Sequence, residues 1–255
     1  MSKWFDGKVV LVTGAASGIG KAVAHRFASE SAYVAVSDVS EESGRSVVEE
    51  LTSDGFAASF CHVDVSSADS IRDLIQTVIA QFGRLDCAVN NAGISGPTGT
   101  PTADVDESDW DSVMAINLKG IWLSMKYELP VMTAQGGGSI VNMSSVSGLV
   151  GSKAAGVAYG ASKHGIIGAT KTTAVEYAKS GIRVNAVCPG LVLTEGVEKA
   201  FDEHPDVAKT LLDMYPMGRF AEPEEIANMV CWLGSDQASF VTGSAFTVDG
   251  GFTAQ

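Results

Sequence analysis

A β-rich run, Lys8–Thr13, leads directly into Thr13-Gly-Ala-Ala-Ser-Gly-Ile-Gly20, and helical periodicity (Ile19, Val23, Phe27) starts at once behind it. Glycines at 14, 18 and 20 let the backbone turn sharply, approach a bound group closely and seat the following helix on a sheet. Exposed amides and the dipole at a helix start favour an anion. Gly14, Ser17, Gly18, Ile19 and Gly20 are therefore candidate contacts for a pyrophosphate. The spacing is G-x-x-x-G-x-G, not the general G-x-G-x-x-G fingerprint. Its meaning comes from context: a strand before it, a helix after it, and a place at the first strand-to-helix turn.

The rest of the chain repeats that alternation. Strand-like runs fall at Lys8–Thr13, Tyr33–Ser37, Ala57–Cys61, Leu85–Asn90, Ser139–Met143, Arg183–Val187 and Ala245–Val248. Helix-period segments lie between them. The clearest is the stripe Ile71, Leu74, Ile75, Val78, Ile79 and Phe82, with Ser67 as its expected N-cap. Pro223 followed by Glu224 and Glu225 suits the first turn of a later helix. Strands joined by single helices predict an α/β fold: a doubly wound, mostly parallel seven-stranded sheet with helices on both faces. No linker composition divides the chain, so residues 1–255 are expected to form one domain.

Seventeen basic against thirty acidic residues give a net charge of −13. A surface that acidic repels nucleic acid and anionic lipid, which argues against both as partners. The N-terminal stretch Met1–Lys8 carries no apolar leader, and no apolar run reaches membrane-spanning length. The expectation is a soluble, cytoplasmic protein. Cys61, Cys87, Cys188 and Cys231 lie far apart and read as reduced thiols packed as small hydrophobes. His25, His62, His164 and His204 are equally scattered, so no metal site is expected.

Three further places suggest chemistry. Asp38 closes the second strand eighteen residues past Gly20, where a carboxylate accepts from the ribose hydroxyls of NAD and repels the 2′-phosphate of NADP. No arginine compensates nearby. The alternative role for Asp38 is a helix N-cap. Asp64 and Val65, at the end of the third strand, can meet an adenine edge and face, or simply form a strand-end turn. Tyr159 and Lys163, four residues apart, share one helix face. An ammonium beside a phenol favours the phenolate and makes tyrosine usable as a general acid or base near neutrality.

With Thr13–Gly20, Asp64, Asn90-Asn91-Ala92-Gly93, Asn117, Ser145 and Tyr159–Lys163 in this order, the chain resembles the short-chain dehydrogenase/reductase family, in its compact NAD-dependent branch. The likeness runs from Lys8 to Val248-Asp-Gly-Gly-Phe252. It implies that Tyr159 passes the proton to or from the substrate oxygen, and that Lys163 depresses the tyrosine and holds the nicotinamide ribose. It implies that Ser145, rather than Ser144, hydrogen-bonds the carbonyl or alcohol oxygen. Asn117 would support a water of the proton relay. Asn91, Ala92 and Gly93 would pack beside the cofactor, while Pro189, Gly190, Val192 and Thr194 would meet the nicotinamide end. The small-residue helix Ala158–Ala169 and the C-terminal strand imply subunit contacts, hence a homotetramer.

The activity implied is reversible hydride transfer between NAD(H) and a secondary alcohol or its ketone. Few basic residues lie in the variable loops Ile94–Thr98, Val146–Gly156 and Leu191–Tyr215, which points to a neutral cyclic or aromatic substrate. The last loop mixes apolar and charged residues, as a lid does, or as ordinary amphipathic helices do. Three other readings remain: an NADPH-dependent 3-oxoacyl (carrier-protein) reductase, which Asp38 opposes; a catalytically silent nucleotide-binding scaffold, which the complete Asn117, Ser145, Tyr159, Lys163 set opposes; and a sugar-nucleotide epimerase, for whose substrate domain the chain is short.

Overall fold

The computed structural model describes residues 3–255; Met1 and Ser2, part of the expected 1–255 domain, lie outside the described residues. The chain runs β1 (Val9–Thr13), α1 (Gly18–Ser29), β2 (Tyr33–Asp38), α2 (Glu41–Ser53), β3 (Ala58–His62), α3 (Ala68–Phe82) and β4 (Cys87–Asn90). It continues with α4 (Glu107–Val113), a wide-turned π segment (Met114–Lys119), α5 (Gly120–Ala134), β5 (Gly138–Met143) and α6 (Val157–Tyr177). Then come β6 (Ile182–Pro189), α7 (Glu195–Glu203), α8 (Pro205–Leu212), α9 (Pro223–Gly234) and β7 (Ala245–Val248). All seven predicted strands form, with no end shifted by more than two residues.

They make one sheet in the order β3-β2-β1-β4-β5-β6-β7, and every neighbouring pair is parallel. Strand side chains alternate between two cores. Val10, Val12, Val34, Val36, Val89 and Val141 face α1, α2 and α9, where Val23, Phe27, Leu51, Ile226 and Val230 are buried. Val9, Leu11, Ala35, Ala88 and Ile140 face the other way, onto Ile71, Leu74, Val78, Ile121, Leu129 and Ile166 of α3, α5 and α6. Burying one such aliphatic side chain contributes roughly 1.5–3 kcal/mol. A sheet covered on both faces needs strands apolar on both sides, which is why β1 is a continuous run of valine and leucine.

Helix ends follow the sequence. The Ser67 hydroxyl accepts from the Ser70 amide (3.3 Å), and α3 closes at Gly83 with φ +74°. Before α9, Glu222 and Glu225 satisfy each other's backbone amides as a capping box, with Pro223 in the first turn. The strand order reverses between β1 and β4. In an open parallel sheet, the strand ends flanking such a reversal leave a crevice for a ligand.

Candidate active site

That crevice holds a groove of about 1040 Å³, toward the upper end of small-molecule sites. One wall is the glycine turn. Gly14 has φ +65°, and a Cβ there would lie 2.7 Å from Ala92 Cα. At Gly20 a Cβ would sit 1.9 Å from the Gly14 carbonyl oxygen. Any side chain at 20 would therefore push the turn off the sheet. Asn91 clamps the turn from across the reversal, its Nδ2 donating to the carbonyls of Thr13 (3.1 Å) and Gly14 (3.0 Å).

Asp38 stands at the end of β2 and is not the cap of α2, whose N-cap is Ser40. Its Oδ2 accepts from the Ala16 amide (3.1 Å) and its Oδ1 from the Ser40 amide (3.0 Å). A carboxylate has about four acceptor positions, so capacity remains on the groove side. Asp64 forms the strand-end turn, accepting from both the amide and the hydroxyl of Ser66, and it also lines the groove beside buried Val65. The turn therefore forms without taking the residue away from the groove.

The other end of the groove carries Ser145, Tyr159 and Lys163. Ser144 and Ser145 point oppositely, as alternation requires. The Ser144 hydroxyl donates to the Lys163 carbonyl (2.9 Å) and is thereby spent on α6. Ser145 Oγ accepts from the Ser147 amide (3.1 Å), and its hydroxyl faces the Tyr159 phenol. Lys163 is 4% exposed. Its Nζ donates to the Met143 carbonyl (2.9 Å) and lies 5.4 Å from the Tyr159 ring centroid.

The electrostatics correct one expectation. Burial pushes the Tyr159 phenol above its ordinary value, and only the Ser145 hydroxyl pulls it down; the ammonium is not what moves it. The same burial lowers Lys163 to about 8. Removal from water disfavours both charged forms, so the protein alone drives this pair toward neutrality. An ammonium this buried with a single acceptor among the described residues has donors left for a hydroxyl-rich group in the groove, which fits a ribose.

Asn117 is buried in the π segment; its Oδ1 accepts from the Ile94 amide and its Nδ2 donates to the Ile94 carbonyl, both at 2.8 Å, and to Ser162 Oγ (3.4 Å). The π segment itself was not legible in the sequence, though such local widening recurs at functional sites. Pro189, Gly190, Val192 and Thr194 all border the groove. A Cβ on Gly190 would meet Tyr215 at 2.8 Å. The segment 191–215 folds as α7 and α8, neither with a buried residue, and Tyr215 Oη accepts from the Leu191 amide (2.7 Å) to close its base.

A family profile described as enoyl-(acyl carrier protein) reductase matches residues 14–253. Cyclohexanol dehydrogenase of Acinetobacter sp. (strain SE19) is 40% identical over 255 residues, covering 100% of this chain and 98% of that protein. The 3-oxoacyl-[acyl-carrier-protein] reductase FabG of Thermotoga maritima is 43% identical over 247 residues, 96% of this chain and 98% of that one. The crystal structure of levodione reductase superposes with a TM-score of 0.92 at 37% identity, covering 98% and 99% of the two chains. The chain belongs to the short-chain dehydrogenase/reductase family. As a member of the short-chain dehydrogenases, it is an oxidoreductase of the alcohol–ketone class, built on a single Rossmann-like sheet.

Proposed function

We propose that the protein interconverts a neutral cyclic secondary alcohol and its ketone with NAD(H). The observation that carries this reading is the convergence of Ser145, Tyr159 and Lys163 on the groove that begins at the glycine turn. Gly14, Ser17, Gly18, Ile19 and Gly20 would cradle the pyrophosphate. Asp38 would accept from the adenosine ribose, with Asp64 and Val65 beside the adenine. Among the described residues Lys163 is the only cation lining the groove and no guanidinium lines it beside Asp38, which favours NAD over NADP. Asn91, Ala92, Gly93, Pro189, Gly190, Val192 and Thr194 would frame the nicotinamide end.

When bound, the nicotinamide supplies the hydride acceptor. Tyr159 takes the alcohol proton in oxidation as its phenolate, and gives the proton back in reduction as the phenol. Ser145 gives a hydroxyl hydrogen bond to the same oxygen, stabilising the charge that develops there. Lys163 holds ribose hydroxyls while anchored on the Met143 carbonyl. Main-chain groups of the π segment around Asn117 would keep a water in the proton path.

The substrate class rests on the groove's far wall, where Ile94, Ile116, Leu191 and Val197 are apolar and the only added charge is Glu195. A carboxylate at that rim repels anionic acyl carriers, which disfavours the 3-oxoacyl reductase reading. The segment 191–215 acts as the lid. Val175 on α6 and Trp122 on α5 are exposed apolar residues, and a Cβ at Gly168 of α6 would meet open space, which supports helix-to-helix subunit contacts within a homotetramer. Four free, buried cysteines suit a cytoplasmic protein.

Reduced-nicotinamide absorbance followed with NAD and with NADP, across cyclic, aromatic and aliphatic alcohols, tests the reading. NAD-linked oxidation strongest with cyclic alcohols is expected. Turnover restricted to NADPH with carrier-bound 3-oxoacyl chains would replace this reading with its rival.

A further inference from the structure

Buried polar groups not used by the proposed reaction converge on one carboxyl. Glu128, on α5, is fully buried, and burial pushes its carboxyl up to about 8. Its Oε2 accepts from Asn90 Nδ2 at 3.2 Å, while its Oε1 and the Asn90 Oδ1 have no hydrogen-bond partner. An asparagine amide has two N–H bonds to give. Asn90 gives the other to Asn142 Oδ1 (3.0 Å). Asn142 donates onward to Thr170 Oγ1 (3.0 Å) and to Met125 Sδ (3.4 Å). One chain of side-chain hydrogen bonds thus crosses α5, β4, β5 and α6.

Each of those last three elements delivers a group to the groove close by. Asn90 ends β4 and is followed by Asn91, the clamp on the glycine turn. Asn142 precedes Met143, whose carbonyl holds Lys163, and lies just before Ser145. Thr170 sits about two helical turns past Lys163 on α6. Apolar side chains alone allow neighbouring strands and helices to slide by fractions of an ångström. A buried hydrogen-bond chain resists this, because each broken link strands a polar group at a cost of about 1–3 kcal/mol. With no acceptor at 128, the second N–H of Asn90 is stranded, and its amide is free to turn away from Asn142.

We propose that Glu128 is a positioning residue for the reaction assigned above, acting through Asn90, Asn142 and Thr170 to hold Ser145 and Lys163 at the height that hydride transfer requires. The proposal rests on that functional reading. Misplacement of reacting groups by as little as an ångström costs on the order of a hundredfold in rate, so a partial loosening costs less.

Glu128→Leu removes the acceptor at similar volume, Glu128→Gln retains it, and Thr170→Val cuts the far link. In the Leu variant kcat is expected to fall about tenfold, with KM for the alcohol and the NADH dissociation constant within about threefold of wild type. Glu128→Gln is expected to restore kcat to within about threefold, and Thr170→Val to lose at least about threefold. Backbone hydrogen exchange, which needs no turnover, is expected to quicken at residues 90–94 and 143–146 in Glu128→Leu and not in Glu128→Gln. A Leu variant with lowered Tm but unchanged kcat and unchanged local exchange overturns the proposal, as does a Gln variant as impaired as Leu. If Glu128→Leu does not fold, Thr170→Val decides, and wild-type kcat in that variant overturns the relay. Absence of NAD-linked turnover in the wild type would sink the functional reading alone, and the exchange comparison would still decide this one.

Discussion

At the glycine-turn end of the groove, position is set by backbone: Gly20 has no room for a Cβ, Gly14 needs a positive φ, and Asp38 is tied to two main-chain amides. At the opposite end, position is set by buried side chains. Lys163 leans on one carbonyl, Ser144 on another, and Glu128 ends a chain of side-chain hydrogen bonds through Asn90 and Asn142 to Thr170. The first kind of construction tolerates charge and exposure but not volume. The second tolerates volume-conserving change but is sensitive to every proton. The two ends should therefore fail differently when disturbed.

Tyr159→Phe is the largest expected break. It removes the proton carrier at the reactive end without touching the glycine turn. Turnover should fall by about 10²–10⁴-fold, while NADH binding, read by fluorescence, stays nearly intact. Substantial residual activity would mean the proton travels elsewhere. Because burial holds the phenol above its ordinary value, its conjugate base is scarce at neutral pH. Oxidation at saturating coenzyme should therefore climb with pH on the alkaline side, and ketone reduction should not. Equal, flat profiles for both directions would contradict a buried phenol in this role.

Next in size is a stability effect at the same end. The Glu128 carboxyl is raised from 4.5 to about 8 by burial, so the folded protein binds a proton that the unfolded chain has released. Stability should fall by about 1.4 kcal/mol per pH unit between those limits and level off above the upper one. Glu128→Gln carries no such proton. In urea melts, the variant should gain on wild type by about 3 kcal/mol between pH 5 and pH 7. A constant difference across that range would place the carboxyl in contact with solvent.

The sequence foretold the backbone-built end much better than the side-chain-built end. Glycine spacing, a strand-end aspartate and the alternation of apolar runs follow from local sterics and from two-sided burial, which leave their mark residue by residue. All seven strands were legible, as was the Ser67 cap. The π segment around Asn117 was not, because nothing local distinguishes Met114–Lys119 from an ordinary helix. Glu128 was missed for a related reason: Lys126-Tyr-Glu-Leu129 reads as a solvated helix face until the sheet is assembled above it. Ammonium–phenol proximity was legible from i, i+4 spacing, but the direction in which the phenol shifts was not. Spacing carries no information about desolvation, and at this site burial is the largest influence on the phenol.

Asp38→Ser should weaken the backbone-built end selectively. Losing the carboxylate removes acceptors for ribose hydroxyls and the repulsion toward a 2′-phosphate. Preference for NAD over NADP should drop by about tenfold to a hundredfold in kcat/KM, or roughly 1.4–2.7 kcal/mol. The kcat with saturating NAD should change little, because Tyr159, Lys163 and Ser145 stay where they are. An unchanged coenzyme ratio would mean that Asp38 serves only to tie the glycine turn to β2.

Phe201→Ala is the smallest expected change, and it tests a third kind of construction, the segment over the groove. Phe201 lies against Phe220 with ring centroids 5.2 Å apart, and Phe220 meets Tyr215 edge-on at 5.5 Å. Aromatic pairs of this sort add about 0.5–1.5 kcal/mol beyond area burial. Since neither α7 nor α8 buries a residue, this contact holds the segment down without anchoring it in either core. The alcohol's KM should rise by about threefold to tenfold, with the coenzyme's dissociation constant unchanged and Tm within about 2 °C of wild type. If α7 and α8 were ordinary amphipathic helices packed on the sheet, the same truncation would cost 3–5 kcal/mol as a buried phenylalanine does, lowering Tm by about 6 °C or more while leaving KM alone. The two outcomes separate a lid from a wall.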